Sequence, residues 1–178
     1  AELLAHAPDG ATPGARLWVG LQLTHAPDWH TYWKNSGDSG LPTTLAWQLP
    51  TGVTTGEIAW PTPKKLPVGP LMNYGYSGEV LLLAELTPAA DLKPGGAAYL
   101  GARADWLICK EVCIPGGADM KLTLPVAAQA APSRWASAFD VARALIPPVQ
   151  ALEAQRAVFD GKRIALSFAP SSKLRSLE

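Results

Sequence analysis

Cysteine is nearly absent: Cys109 and Cys113 are the only two in 178 residues. That scarcity argues against a small secreted scaffold built on several bridges. Histidine is scarce too. Zinc would need two ligands beyond the cysteines, and His6, His25 and His30 do not lie at finger-like spacing from them. Net charge is lacking. Fifteen basic residues balance fifteen acidic ones, so no overall field draws the chain to nucleic acid or to an anionic membrane. Long apolar runs are missing. The longest, Val80-Leu81-Leu82-Leu83-Ala84, falls far short of the roughly 20 residues that span a bilayer. No signal peptide is visible and the first residue is Ala1, which reads as a mature or excised fragment. No serine lies in a nucleophile elbow, and Gly116-Gly117 lacks the Lys-Ser/Thr of a phosphate loop. No paired carboxylates stand out, so a hydrolase is unsupported.

What is present points to β-structure. Apolar residues make up 48% of the chain, enough for a sizeable core. Seventeen prolines and 16 glycines punctuate it too often for an all-helical fold. Residues 16–24 alternate in period two, with Leu17, Val19, Leu21 and Leu23 on one face. Further strands are expected at 30–34, 43–49, 57–60, 79–87, 97–109 and 119–126, with turns at 35–40 and 115–117. Residues 61–70 read as an extended loop. Strands at this spacing predict an all-β sandwich or barrel over residues 1–126. Residues 127–132 read as an Ala-rich linker. Ser133 caps an expected helix through Ile146, with Trp135, Phe139, Ala142 and Ile146 on one face. Residues 155–159 and 163–168 read as a hairpin around Asp160-Gly161. Residues 171–178 show no pattern. The segment 133–178 is either a partial second domain or an appendage packed on the first.

The two cysteines join one strand to the next across three residues, close enough for a disulfide with Cα atoms near ~5.5 Å. As a staple such a bridge is weak, since a loop of about five residues gives roughly 2 kcal/mol. A redox couple, a structural staple and two unpaired buried thiols all remain open. Thioredoxin chemistry is disfavoured, because it uses Cys-x-x-Cys before a helix. Lys110 favours a thiolate here and Glu111 opposes it. The pair suits a passive relay that depends on partners. Two thiolates could also hold copper(I).

Seven tryptophans allow a carbohydrate-binding module, although core packing is the commoner use. Trp29-His30-Thr31-Tyr32-Trp33-Lys34 looks site-like, with His30 read as structural. Met72-Asn73-Tyr74-Gly75-Tyr76-Ser77-Gly78 reads as a loop with two aromatics between glycines. Its functional reading is a lid over the redox pair.

Three motifs in order carry a resemblance: residues 29–42, Asn73-Tyr74-Gly75-Tyr76, and residues 105–115 with Trp106, Cys109 and Cys113. Over residues 1–126 they resemble the periplasmic N-terminal domain of the thiol:disulfide interchange protein DsbD superfamily, nearest the suppressor-of-copper-sensitivity branch of membrane reductases. The resemblance implies an immunoglobulin-like sandwich with Cys109 and Cys113 as the active pair. It makes Met72, Asn73, Tyr74, Gly75 and Tyr76 the cap segment, with Tyr74 or Tyr76 as the capping side chain. Trp106, Lys110 and Glu111 are neighbouring modulators. No cofactor or metal is implied. The implied electron donor is a thioredoxin-like domain of the same membrane reductase, and the implied acceptor is a periplasmic thioredoxin-fold disulfide protein. Membrane attachment comes only through the rest of the parent chain, and residues 133–178 fit the start of a second periplasmic region. The runner-up function is a non-catalytic binding module with a structural disulfide, or a copper(I)-binding domain.

Overall fold

The computed structural model describes residues 1–7, 11–93, 95–126, 134–148 and 154–168. In chain order they form β1 (Glu2–His6), β2 (Leu17–Thr24), β3 (His30–Gly37), β4 (Thr44–Gln48), β5 (Thr54–Thr55) and β6 (Lys64–Val68). Then come β7 (Leu71–Ser77), β8 (Glu79–Thr87), β9 (Ala97–Cys109), β10 (Cys113–Pro125), α1 (Ala136–Ala144), β11 (Ala154–Phe159) and β12 (Ile164–Phe168). Two compact units result, residues 1–147 and residues 148–178.

The first unit is the expected all-β, immunoglobulin-like sandwich. One antiparallel sheet has the order β1-β2-β8-β5. The other runs β10-β9-β3-β7-β6, and β4 pairs with β9 beside β3. Period-two alternation puts Leu17, Val19, Leu21 and Leu23 of β2 inside. They meet Ala98, Leu100 and Ala104 of β9 and Leu124 of β10 in the shared core. Strand β8 is apolar on both faces for a reason. Val80, Leu82, Ala84 and Leu86 join the sandwich core, while Leu81 and Leu83 turn outward to Phe139 and Ala142 of α1. Trp33, Trp47, Trp60 and Trp106 pack against the sandwich core, and Trp18 and Trp135 against the helix cluster. Packing therefore occupies six of the tryptophans.

Several elements differ from expectation. Residues 64–68 are not loop but an edge strand. Pro67 is tolerated because an edge strand leaves one side of its backbone unpaired. Residues 71–77 are strand β7, not a loop. Gly75 serves close approach rather than flexibility, since a Cβ there would lie 2.0 Å from the Thr31 carbonyl oxygen. Strand β10 starts at Cys113 and runs through Pro115-Gly116-Gly117, which had read as a turn. It too is an edge strand, and Gly116 lies against Trp106, whose Nε1 is 2.6 Å from where a Cβ would be. Residues 57–60 contribute only the bridge Ala59–Leu83. Strands β1 and β5 had no clear sequence signal. The helix is shorter than expected and begins after Trp135. Ser133, the linker 127–132 and the tail 171–178 lie outside the described residues. No helix among the described residues is long and apolar enough to cross a membrane.

The second unit contains the expected hairpin β11–β12. Asp160 Oδ1 accepts from the backbone N–H groups of Lys162 and Arg163, and Gly161 takes a positive φ of 91°. These bonds hold the Asp160 carboxyl below its usual range.

Candidate disulfide site

Strands β9 and β10 form one long hairpin whose register pairs Cys113 with Cys109 at its tip. Lys110-Glu111-Val112 makes the turn, closed by the Lys110 N–H donating to the Val112 carbonyl at 3.1 Å. The two sulfurs are bonded at 2.00 Å. Their Cα atoms are 4.1 Å apart, closer than expected, because the residues oppose each other directly across an antiparallel pair.

The two cysteines are not equivalent. Cys109 is 2% exposed, whereas Cys113 is open to solvent. Topology explains the difference. Cys109 lies opposite Cys113 on one side and pairs with His30 of β3 on the other. Cys113 belongs to the outermost strand of its sheet. Val112 and Ile114, on either side of it, are exposed at 61% and 49%.

Strand β3 supplies the floor. His30 and Tyr32 are two apart and so share a face. Both are buried, and their rings meet edge-on at 5.2 Å. The Tyr32 hydroxyl lies 3.8 Å from Cys113 Sγ and 3.3 Å from His30 Nε2. Gly40, with φ 92°, packs on the Tyr32 ring, and a Cβ there would be 2.3 Å from it. Behind them His25 Nδ1 donates to the Gly78 carbonyl at 2.7 Å, and His25 Nε2 contacts Thr31 Oγ1 at 2.9 Å. Burial lowers the pKa of His30, with nearby His25 adding to the effect. Burial also lowers His25 and raises the Tyr32 phenol. Near neutral pH the imidazoles are therefore uncharged and the phenol protonated.

The other residues singled out from sequence scatter around this centre. Lys110 Nζ pairs with Asp28 at 3.0 Å, and Asp28 has a positive φ of 69°. Glu111 is exposed at the turn. Trp106 packs in the sandwich core. In β7, Met72 is exposed at 37% and Tyr74 is half-buried. Asn73 is buried, its Oδ1 accepting from the Ser39 N–H and hydroxyl. Tyr76 is a core residue whose hydroxyl donates to the Pro61 carbonyl at 2.7 Å, and burial raises its phenol strongly. Beside the disulfide a groove of about 350 Å³ is lined by Asp28, His30, Leu66, Val68, Ser77 and Lys110, among others. Among the described residues no cluster of three or more His, Cys, Asp or Glu is placed to hold a metal ion. Tyr32 had no sequence signal of its own, and only the aromatic run 29–34 pointed to its neighbourhood.

An antiparallel sandwich with a single disulfide at a hairpin tip, one cysteine shielded and one open, has the arrangement that thiol–disulfide exchange requires, an exposed sulfur that a partner thiolate can reach. Residues 2–125 match the family model for the thiol:disulfide interchange protein DsbD, N-terminal, and the chain belongs to that family. Among solved structures it is similar to the N-terminal periplasmic domain of ScsB from Proteus mirabilis. The two share 22% identity at a TM-score of 0.62, which bears on the fold. The match covers 93% of this chain and 62% of the other, so this chain spans under two thirds of that domain. No curated protein matches the chain.

Proposed function

We propose that the domain is a periplasmic thiol–disulfide relay. It takes reducing equivalents from a thioredoxin-like domain of the same membrane reductase and passes them to a periplasmic thioredoxin-fold disulfide protein. The observation that carries this reading is the asymmetry of the bonded pair: Cys109 is buried and Cys113 is exposed at an edge. A donor thiolate attacks Cys113 Sγ. The Cys109–Cys113 bond breaks and Cys109 leaves as a thiolate. The donor's second thiolate then attacks the donor sulfur of the mixed disulfide, which frees the Cys113 thiolate. The donor ends oxidised and the pair reduced by two electrons. In the second half, the Cys113 thiolate attacks the acceptor disulfide. Cys109 then attacks Cys113 Sγ and releases the reduced acceptor.

In this reading residues 1–126 are the redox unit and 127–132 its linker. Residues 133–178 lead into a second periplasmic region, with α1 docked back on β8. Hairpin β6–β7, which carries Met72 and Tyr74, is the cover of the pair. Lys110 and Glu111 tune the turn.

Single serine variants test the scheme. Cys109→Ser should trap a mixed disulfide through Cys113, while Cys113→Ser should trap none. Both should lose transfer and keep the native near-ultraviolet circular dichroism. Unfolding of both variants would support a structural staple instead.

A further inference from the structure

Tyr32 and His30 take no part in the exchange scheme above, yet they are buried directly against its exposed end. While Cys113 is in the disulfide, its sulfur carries no hydrogen. In the 3.8 Å contact with Tyr32 the phenol is therefore the only possible donor. That phenol has one hydrogen. For the 3.3 Å contact with His30 to be a hydrogen bond at the same time, His30 Nε2 must be the donor. Both bonds hold together only when His30 carries a hydrogen on Nε2, pointing at the Tyr32 oxygen. Gly40 packs on the ring and keeps it in place.

We propose that Tyr32 is a catalytic residue of thiol–disulfide exchange: its hydroxyl hydrogen-bonds the Cys113 thiolate, and His30 is the positioning residue that aims that hydroxyl. The inference deepens the relay reading and rests on its choice of Cys113 as the exchanging sulfur. In the reduced pair the Cys113 thiolate accepts the phenol hydrogen at the position the disulfide sulfur now holds. No proton is transferred, because burial raises the phenol further above the ordinary thiol range. The bond stabilises Cys113 as a leaving group when the donor departs, and as the thiolate that attacks the acceptor. Among the described residues this is the only hydrogen-bond contact to either sulfur. Cys109, buried without such a donor, stays a weaker acid. The charged groups nearby do not replace the phenol. Lys110 is paired with Asp28, Glu111 is exposed in the turn, and Lys64 is bonded to Ser77. His25 bonds Gly78 and Thr31.

The test is a titration of the reduced 178-residue chain without any partner. Thiolate absorbance and the rate of iodoacetamide alkylation are followed against pH, with each modified cysteine located by mass spectrometry. In Tyr32→Phe the ring stays, the hydroxyl goes, and the Cys113 midpoint should rise by about one unit. Its alkylation at neutral pH should slow about tenfold. Cys109 should not move. His30→Gln keeps an N–H donor and should titrate like the wild type, whereas His30→Leu should shift Cys113 in the direction of Tyr32→Phe. An unchanged Cys113 midpoint in folded Tyr32→Phe would overturn the proposal, as would Cys109 and Cys113 shifting together. Should Tyr32→Phe misfold, equal midpoints in His30→Gln and His30→Leu would overturn it instead. Because no partner is present, the relay can fail in the serine trapping test while this hydrogen bond stands, and the reverse.

Discussion

Around the disulfide the residues that matter are polar, buried and mostly uncharged. His25 and His30 both titrate below 6.5 in the folded protein, chiefly because burial disfavours the imidazolium. The unfolded chain thus binds more protons than the folded one as the pH falls below 6.5. Their contribution to stability is complete above that value and is lost as the pH drops through the folded-state pKa values. Urea unfolding at pH 7 and at about pH 5 should show the domain weaker at the lower pH. The His25→Gln, His30→Gln double variant should flatten that difference. The two cysteines were legible from sequence because nothing else in the chain could bond them. Their inequality was not, since it depends on which strand lies at the sheet edge. Tyr32 was illegible for a similar reason. Nothing in its local pattern marks it, and only the pairing of His30 in β3 with Cys109 in β9 brings it close to Cys113.

At the scale of elements, β2 could be read from its period-two alternation and β8 from its nearly unbroken apolar run, because both patterns coincide with burial. Strands β6, β7 and β10 could not. Each contains proline or glycine, which usually marks a turn. Here Pro67 and Pro115 lie on edge strands, and Gly75 and Gly116 lie where a neighbour leaves no room for a Cβ. Gly75→Ala should therefore push β7 away from β3 and cost about 1–3 kcal/mol in denaturant unfolding. An unchanged midpoint would mean that the strands pack less tightly than described. The β9–β10 hairpin carries 13-residue strands paired along their whole length, so its shape should survive reduction. Reduction should lower stability by only about 2 kcal/mol and leave the circular dichroism native.

For the whole molecule, the helix face Trp135, Phe139, Ala142 and Ile146 was legible from its 3–4 spacing, and it covers the outward side chains of β8. What no local pattern could supply was the surface that it covers. Phe139, fully buried, should cost about 3–5 kcal/mol when changed to Ala. Truncation after residue 126 would expose Leu81 and Leu83, and should lower the melting temperature more than truncation after residue 147. The central claim is that the Cys109–Cys113 bond is a working couple. Its reduction potential, measured by thiol trapping in glutathione or dithiothreitol buffers, tests that claim most directly. A relay predicts a value at or above about −270 mV, the level of thioredoxin. A value below about −300 mV, where structural disulfides lie, would contradict it.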